Sequence, residues 1–243
     1  MAGHPVPRRS HPRTRRVALV TPTFGAGGDE PYARALQNDG RLLLVPTARD
    51  GVTPTGTASL MMDVARWSAA ADATDMSLIE EGSGPLLDIG CGPGRMVKAA
   101  LTAGHSALGI DVSGAAIGVA SAAGIPVLRA SVFDPLPLEG EWMTLLLVDG
   151  NIGIGGDPTA LLARCEELLS PTGCVLVEVQ NDPSADRAYD CRVVGDDGSA
   201  SASFPWAEVG SAALARRARS VGLRLVQSWT RDGRSFCRLG RAR

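Results

Sequence analysis

The nine residues LDIGCGPGR, at positions 87–95, join an apolar run to a turn that has three glycines at alternate positions. The apolar run from Leu86 to Ile89 predicts a short buried strand, and the segment from Arg95 to Ala103 predicts a helix. Glycine allows the tight turn between them and lets a ligand lie against bare backbone, beside the positive end of the helix. The stretch therefore predicts a strand–turn–helix unit that binds a ligand at its turn.

Strands and helices continue to alternate after this unit. Further strands are predicted at 107–111, 127–133, 143–149 and 175–179, and further helices at 115–123, 157–169 and 212–221. Residues 223–230 and 235–239 predict two last strands, which an Asp-Gly turn joins as an antiparallel hairpin. The repeated β-α units predict an α/β fold with a doubly wound, mostly parallel seven-stranded sheet that binds ligands at the carboxyl ends of its strands.

Three regions are predicted along the chain. Residues 1–16 contain five arginines and lead into an apolar run too short for a signal peptide, so we expect a flexible basic arm. Residues 17–84 form an N-terminal cap and connector, in which 60–80 carries the apolar stripe of one helix and indicates a helical cap. The Gly-rich stretch 24–28 is interpreted as an irregular connector. Residues 85–243 form the ligand-binding domain.

Composition excludes several classes of protein. The chain has 243 residues and a formal net charge of -2, which argues against a globally basic nucleic-acid binder. No apolar run reaches the ~18 residues of a membrane helix, so no membrane partner is expected. The five cysteines are scattered, without paired or histidine spacing, which predicts no metal site and indicates free thiols in the cytoplasm.

Two acidic residues discriminate between nucleotide ligands at the predicted turn. Asp111 ends the next strand about 20 residues further on, where a carboxylate accepts hydrogen bonds from a ribose diol. Asp88 lies directly before the glycines, where it repels a pyrophosphate and suits an ammonium group. The glycine spacing is also G-x-G-x-G, whereas dinucleotide enzymes use G-x-G-x-x-G. S-Adenosylmethionine, which carries an ammonium and a sulfonium but no phosphate, fits this pattern.

Several segments resemble class I S-adenosylmethionine-dependent methyltransferases. Residues 88–94 are similar to the first motif of that family, and Asp111 is similar to its second-strand acid. Residues 131–134 and 147–151 resemble its segments after the third and fourth strands. The stretch DGNIGIGGDP, at 149–158, is also similar to a group of actinobacterial methyltransferase-like proteins. The resemblance implies the Rossmann-like methyltransferase fold.

The resemblance also implies a donor site. The residues implied in binding S-adenosylmethionine are Asp88, Gly90, Cys91, Gly92, Asp111, Val112, Ser131, Val132, Asp134 and Asp149. Asp88 would hold the methionine ammonium, directly or through water, and the backbone at the glycines would approach the methionine moiety. Asp111 would bind the ribose hydroxyls, and Val112 would pack on the adenine. Either Ser131 or Asp134 would meet the adenine amino group.

Candidate catalytic groups are Asp149 and Asn151, just beyond the fourth strand. Asp149 either accepts a proton from the acceptor, contacts the amino acid end of the donor, or caps its loop. Asp149 with Asn181 and Asp182 is loosely similar to the site of magnesium-dependent catechol-type enzymes, but the last two are in reversed order, so no metal is predicted. The glycine-rich loop 150–156 either makes room for the acceptor, moves as a lid, or is a tight connection.

Aromatic residues outside the motifs have two open interpretations. Tyr32 and Trp67 precede the glycine turn, where they would cover the ligand or pack in the core. Residues 204–206 follow a polar insertion and would line the acceptor pocket or pack in the core.

The function that these observations predict is metal-independent methyl transfer from S-adenosylmethionine to a small-molecule acceptor, through an oxygen or nitrogen nucleophile. The alternative is a protein that binds this donor without turnover. A dinucleotide-dependent oxidoreductase fits less well, because of Asp88 and the glycine spacing.

Overall fold

The structure, a computed structural model, describes residues 23–24, 30–38, 40–48 and 59–242, so the predicted arm at 1–16 lies outside the described residues. The helices are α1 (Glu30–Asn38), α2 (Val64–Ser68), α3 (Ala73–Glu80), α4 (Arg95–Thr102), α5 (Gly114–Ala122), α6 (Pro158–Leu168) and α7 (Ser211–Ser220), with a 3-10 turn at Asn151–Gly156. The strands are β1 (Leu42–Pro46), β2 (Leu60–Met62), β3 (Leu86–Ile89), β4 (Ala107–Asp111), β5 (Val127–Arg129), β6 (Trp142–Leu147), β7 (Leu169–Val179), β8 (Asp186–Gly195), β9 (Phe204–Val209), β10 (Leu223–Arg231) and β11 (Arg234–Arg241).

The larger sheet has seven strands in the order β10-β11-β7-β6-β3-β4-β5. Strands β3 to β7 of this sheet pair in parallel, and β11 pairs antiparallel with both β7 and β10. The central strands are mostly apolar and buried; Leu145, Leu146 and Leu147 are all fully buried. The predicted α/β fold, with its closing antiparallel hairpin, is confirmed.

The prediction of one helix over residues 60–80 is wrong. The segment forms the short strand β2 and then the two helices α2 and α3. Asp63 caps the start of α2 by accepting a hydrogen bond from the Arg66 backbone N–H at 3.0 Å. Asp72 caps α3 in a reciprocal capping box with Asp75. Two N-caps interrupt the apolar stripe, and each starts a new helix.

A second, four-stranded antiparallel sheet has the order β2-β1-β8-β9. The helical cap was therefore an incomplete prediction, because the cap contains this sheet as well as α1, α2 and α3. The sheet takes strands from both sides of residue 84: β1 pairs with β8, with Leu44 opposite Val193. The division of the chain at residue 84 stays a prediction.

The second sheet packs against the segment that follows β6. The 3-10 turn passes so close to β9 that a Cβ added at Gly153 would lie 2.4 Å from the carbonyl oxygen of Ala207. Glycine at this position is thus required by close backbone approach, which supports the tight connection among the three interpretations of this loop. The second sheet is held over the carboxyl ends of β3, β4 and β6. In the part of the chain that is described, no helix combines the length and apolarity needed to cross a membrane.

Candidate active site

The glycine-rich turn between β3 and α4 is pinned to the neighbouring strand. The backbone N–H groups of Gly90 and Cys91 both donate to the carbonyl oxygen of Ile110, at 2.9 and 3.0 Å. Gly90 has a φ of 75°, and a Cβ there would lie 2.7 Å from the side-chain nitrogen of Asn151. The positive φ and the short distance to Asn151 both require glycine at this position. Without side chains at its glycines, the turn exposes its backbone to a cavity.

Asp111, at the end of β4, holds this turn in place through its side chain. One carboxylate oxygen accepts a hydrogen bond from the Gly92 N–H at 2.9 Å, and the other accepts from the Ser113 N–H at 2.8 Å. Burial raises the pKa of Asp111, although these backbone hydrogen bonds oppose the shift. The carboxylate lines the cavity and keeps further acceptor capacity for a diol.

Asp88, on β3, is a buried carboxyl group with only 2% of its surface exposed. Among the described residues, none forms a hydrogen bond or ion pair with its side chain, which borders the cavity. Burial, followed by the charges of Asp149 and Asp111, raises the pKa of Asp88 to about 8. A carboxyl group in this state gains most from a ligand that brings a positive charge.

Asn151 joins the segment after β6 to the glycine-rich turn. Its side-chain amide donates to the carbonyl oxygens of Ile89 and Gly90, at 2.9 and 3.0 Å. Both bonds hold backbone in place, which is a positioning function. The catalytic assignment of Asn151 stays a prediction.

Asp149, which has a φ of 55°, is surrounded by guanidinium groups. Its carboxylate accepts hydrogen bonds from Arg66 at 3.1 Å, from Arg234 at 3.5 Å and from Arg95. Its backbone N–H donates to Glu178 at 2.8 Å. Since its negative charge is already compensated, these contacts favour a positioning role for Asp149 over proton transfer. Proton acceptance by Asp149 also stays a prediction.

The same arginines enclose a second acid, which the sequence analysis missed. Asp75, on α3, is fully buried and pairs with Arg95, with Arg66 at 3.2 Å and with Arg234 at 2.8 Å. Arg234 also binds Glu178, at 2.8 and 2.7 Å. Burial opposes ionisation of Glu178, yet the Arg234 bonds outweigh it and lower the pKa of that carboxyl.

Sequence signals for this charge network were weak. Arg95 is the first residue of α4, directly after the glycines, and it could have been proposed from that position. Arg234 follows the hairpin turn and Asp75 lies in an amphipathic stripe, so neither position indicated a partner. Burial lowers the pKa of Arg95, and the Asp149 charge opposes that shift.

One cavity brings most of the predicted site residues together. It is lined by Asp88, Gly90, Cys91, Gly92, Asp111, Val112, Ser131, Val132, Asp149 and Asn151. Asp134 is not part of this lining; its carboxylate accepts a hydrogen bond from the Ser131 N–H at 2.9 Å. The lining thus combines the carboxyl groups of Asp88, Asp111 and Asp149 with the apolar residues Val112 and Val132.

An aromatic cluster covers the cavity. It contains half of the chain's aromatic residues: Phe24, Tyr32, Trp67, Phe204 and Trp206. Phe24 is central, with its ring 5.1 Å from that of Tyr32 and 5.7 Å from that of Phe204. Trp67 and Trp206 pack within this cluster and also line the cavity. The two interpretations of these aromatic residues therefore do not exclude each other.

A second cavity, of about 340 Å³, adjoins the first. The two share Met62, Trp67, Asp149 and Trp206 in their linings. Residues from β2, β9 and the turn of the β10–β11 hairpin complete the second cavity. The site therefore offers room for two ligands side by side.

The loosely considered metal site is not assembled. Asn181 binds the Gly233 carbonyl oxygen and the Ser235 hydroxyl, both at 2.9 Å. Asp182 accepts from Ser184. Searching the described residues finds no group of three or more His, Cys, Asp or Glu side chains that could hold a metal ion.

Comparison with protein families gives the class of this protein. A family profile described as "Methyltransferase domain" matches residues 64–228. The chain belongs to this methyltransferase domain family, as its fold and its glycine-turn cavity also indicate. The predicted class of enzyme, an S-adenosylmethionine-dependent methyltransferase, is confirmed. The actinobacterial grouping suggested by residues 149–158 stays a prediction.

Solved structures similar to this chain support the fold. An S-adenosylmethionine-dependent methyltransferase from Bacteroides fragilis, in complex with S-adenosylhomocysteine, is 18% identical with a TM-score of 0.74, over 93% of this chain and all of that one. The 1,6-didemethyltoxoflavin-N1-methyltransferase of Burkholderia thailandensis is 18% identical with a TM-score of 0.52, over 70% of this chain and 78% of its own. The CcbJ methyltransferase of Streptomyces caelestis is 15% identical with a TM-score of 0.54, over 73% and 92%. No curated protein matches the sequence.

Proposed function

We propose that this chain transfers a methyl group from S-adenosylmethionine to a small-molecule acceptor that carries an oxygen or nitrogen nucleophile. The observation that carries the proposal is Asp88: a buried carboxyl group without a protein partner, which lines the cavity at the glycine-rich turn. Leaving such a group unpaired is costly, and a cationic ligand removes the cost.

The residues of the cavity fit this donor. Asp88 would hold the ammonium of the methionine moiety, and Asp111 would accept hydrogen bonds from the ribose hydroxyls. Val112 and Val132 offer apolar surface for the adenine, and Ser131 offers a hydroxyl at its edge. A pyrophosphate would gain no cationic partner from Asp88 or Asp111 and would make ionisation of both less favourable, which disfavours a dinucleotide.

When bound, S-adenosylmethionine supplies a methyl group on a sulfonium, which an acceptor lone pair displaces in line to leave a neutral thioether. The protein's part is alignment and exclusion of water. Asn151 fixes the turn through two backbone carbonyl groups, and aromatic rings of the cluster would exclude water from the part of the cavity that they line. Asp149 would keep the Arg66, Arg95 and Arg234 side chains in place beside the cavity.

A small-molecule acceptor is supported by the adjoining second cavity and by the similar structures. The Burkholderia structure contains bound 1,6-didemethyltoxoflavin and S-adenosylhomocysteine. In this chain the second cavity borders the first through four shared residues, so an acceptor there would lie next to the donor.

Calorimetry tests the proposal directly. We expect purified protein to bind S-adenosylmethionine and S-adenosylhomocysteine and not to bind NAD. Binding of NAD alone refutes the donor assignment. Release of S-adenosylhomocysteine with a library of hydroxyl and amine acceptors distinguishes an enzyme from a protein that binds the donor without turnover.

A further inference from the structure

The lining of the second cavity holds more acids than arginines, although Arg95 and Arg187 bind two of these acids from outside the lining. It contains four acids and two arginines: Asp63, Asp149, Glu178, Glu208, Arg66 and Arg234. Fixed charges of one sign in an enclosed space attract a ligand of the other sign. The charge of the lining is therefore a guide to the class of molecule that it accepts.

Both arginines of this lining are already engaged by acids. Arg234 binds Glu178 at 2.7 Å and the buried Asp75 at 2.8 Å. Arg66 binds Asp149 at 3.1 Å and also Asp75 at 3.2 Å. An anionic acceptor would have to take these guanidinium groups from protein carboxylates, which leaves buried charge unpaired. The cavity thus disfavours carboxylates and phosphates.

Two acids of this lining are not bound by Arg66 or Arg234 side chains: the exposed Asp63, which caps α2, and the partly buried Glu208. The Glu208 carboxylate accepts a hydrogen bond from the Tyr189 hydroxyl at 2.9 Å, and Arg187 approaches at only 3.4 Å. The Glu208 side chain is 16% exposed, while that of Arg187 is 44% exposed and partly screened by solvent. Glu208 is therefore a partly buried acid of this lining whose arginine partner is distant and exposed.

Aromatic rings lie on the same wall as this glutamate. Trp206 and Glu208 are two residues apart on β9, so their side chains share a face of the strand. Trp206 and Trp67 both line the second cavity. Indole rings attract cations through their faces and also pack against flat organic groups.

We infer that the second cavity takes a methyl acceptor that carries a basic amine beside an apolar or aromatic body, and that Glu208 is the charge partner of the amine. This inference rests on the proposed function, because it names the acceptor class of the same site. It assigns recognition to Glu208 and leaves open which atom of the acceptor is methylated.

Binding of three matched probes tests the inference without turnover. The probes are 2-phenylethylamine, 2-phenylethanol and 3-phenylpropanoate, which are cationic, neutral and anionic. Their dissociation constants are measured by ligand-observed NMR with the full-length protein, both with and without saturating S-adenosylhomocysteine. We expect the amine to bind at least tenfold more tightly than the alcohol, and the carboxylate to bind most weakly. The amine affinity should also fall with ionic strength.

Variants assign the effect to Glu208. In Glu208→Gln, which keeps an oxygen for the Tyr189 hydroxyl, we expect at least a tenfold loss of amine affinity and less than a twofold change for the alcohol. The matched control is Glu141→Gln, at an exposed glutamate before β6, which should change neither. A thermal melt confirms that the variant folds, and the wild-type comparison of probes does not depend on it.

The outcomes that overturn the inference are specific. It fails if the carboxylate binds as well as the amine, if no amine binding is seen, or if Glu208→Gln leaves the amine affinity unchanged. Failure of the proposed function has a different signature, because S-adenosylhomocysteine then gives no heat in its own titration. The charge preference of the donor-free protein is still measured in that case.

Discussion

Replacing Asp88 with asparagine is expected to stabilise the ligand-free protein and to weaken donor binding at the same time. The carboxyl group is buried, and its pKa is raised to about 8 by burial and by the charges of Asp149 and Asp111. In an unfolded chain an aspartate has a pKa near ~3.9. Ionisation is therefore much less favourable in the folded protein than in the unfolded chain.

The sign of the pH effect follows from this difference. Between pH ~4 and ~8 the folded protein binds more protons than the unfolded chain, so the Asp88 contribution makes stability fall as pH rises. The slope is at most about 1.4 kcal/mol per pH unit, which gives an upper limit of about 4 kcal/mol at pH 7. Asp88→Asn removes this contribution, so the variant should unfold at a higher temperature than wild type at pH 7.

Donor affinity should show the opposite behaviour. A cationic ligand binds the ionised carboxylate, whose fraction in the free protein rises from about 1% at pH 6 to about 9% at pH 7 when the pKa is about 8. We therefore expect S-adenosylmethionine affinity to increase roughly ninefold across this interval, with proton release below pH 8. In Asp88→Asn the affinity should fall at least tenfold and lose this dependence.

Calorimetry in two buffers of different ionisation enthalpy and thermal melts from pH 5 to 8 measure both effects. Asp157→Asn is a matched control, because Asp157 is an exposed N-cap where asparagine serves equally well. Unchanged donor affinity in Asp88→Asn refutes the role of Asp88. A lower melting temperature of that variant refutes the reasoning about its burial.

Three other substitutions test the support of the site. Asn151→Ala removes the amide that donates to two carbonyl oxygens of the turn. The KM for the donor should therefore rise about tenfold, while the melting temperature falls only slightly. An unchanged KM contradicts the positioning role. Gly153→Ala places a Cβ 2.4 Å from the Ala207 carbonyl oxygen, so a destabilisation of about 1–3 kcal/mol is expected in urea unfolding, and a neutral result contradicts the close packing. Arg234→Met leaves Glu178 without its guanidinium partner, so a loss of about 3–5 kcal/mol is expected, and full stability at pH 7 speaks against the buried network.

The cavity at the glycine-rich turn could be predicted because the residues that form it are local in the sequence. Asp88, the glycines and Asp111 lie on two consecutive β-α units, and parallel strand ends meet at one edge of a sheet. The prediction needed only the order of apolar runs and turns. Cavity lining by Val112 and Ser131 follows from the same rule.

The cap could not be predicted in the same way. Strand β1 is paired with β8, from a distant part of the chain, and a five-residue apolar run contains no information about its partner. The apolar stripe over residues 60–80 was misleading, because its periodicity indicates a buried face but does not show where one helix ends and the next begins. Asp63 and Asp72 were the available signals, since both are residues that start helices.

The network of arginines and acids could not be predicted from the sequence for a related reason. Asp75, Arg95 and Arg234 come from α3, α4 and β11, and their pairing depends on how three separate elements pack. A buried ion pair produces no periodic hydropathy pattern in the sequence, because each of its two residues looks like an ordinary exposed polar residue of its own segment.

The two cavities differ in which parts of the chain build them, and this difference separates their chemistry. The donor cavity depends on β3, β4 and the segment after β6, while β2, β9 and the hairpin turn contribute to the second cavity. Asp149 lies between them, bound to Arg95 on one side and, through its backbone, to Glu178 on the other. Substitution of Glu208, which lines the second cavity and not the first, should therefore change acceptor preference with little effect on donor affinity, whereas a change at Asp149 should disturb both.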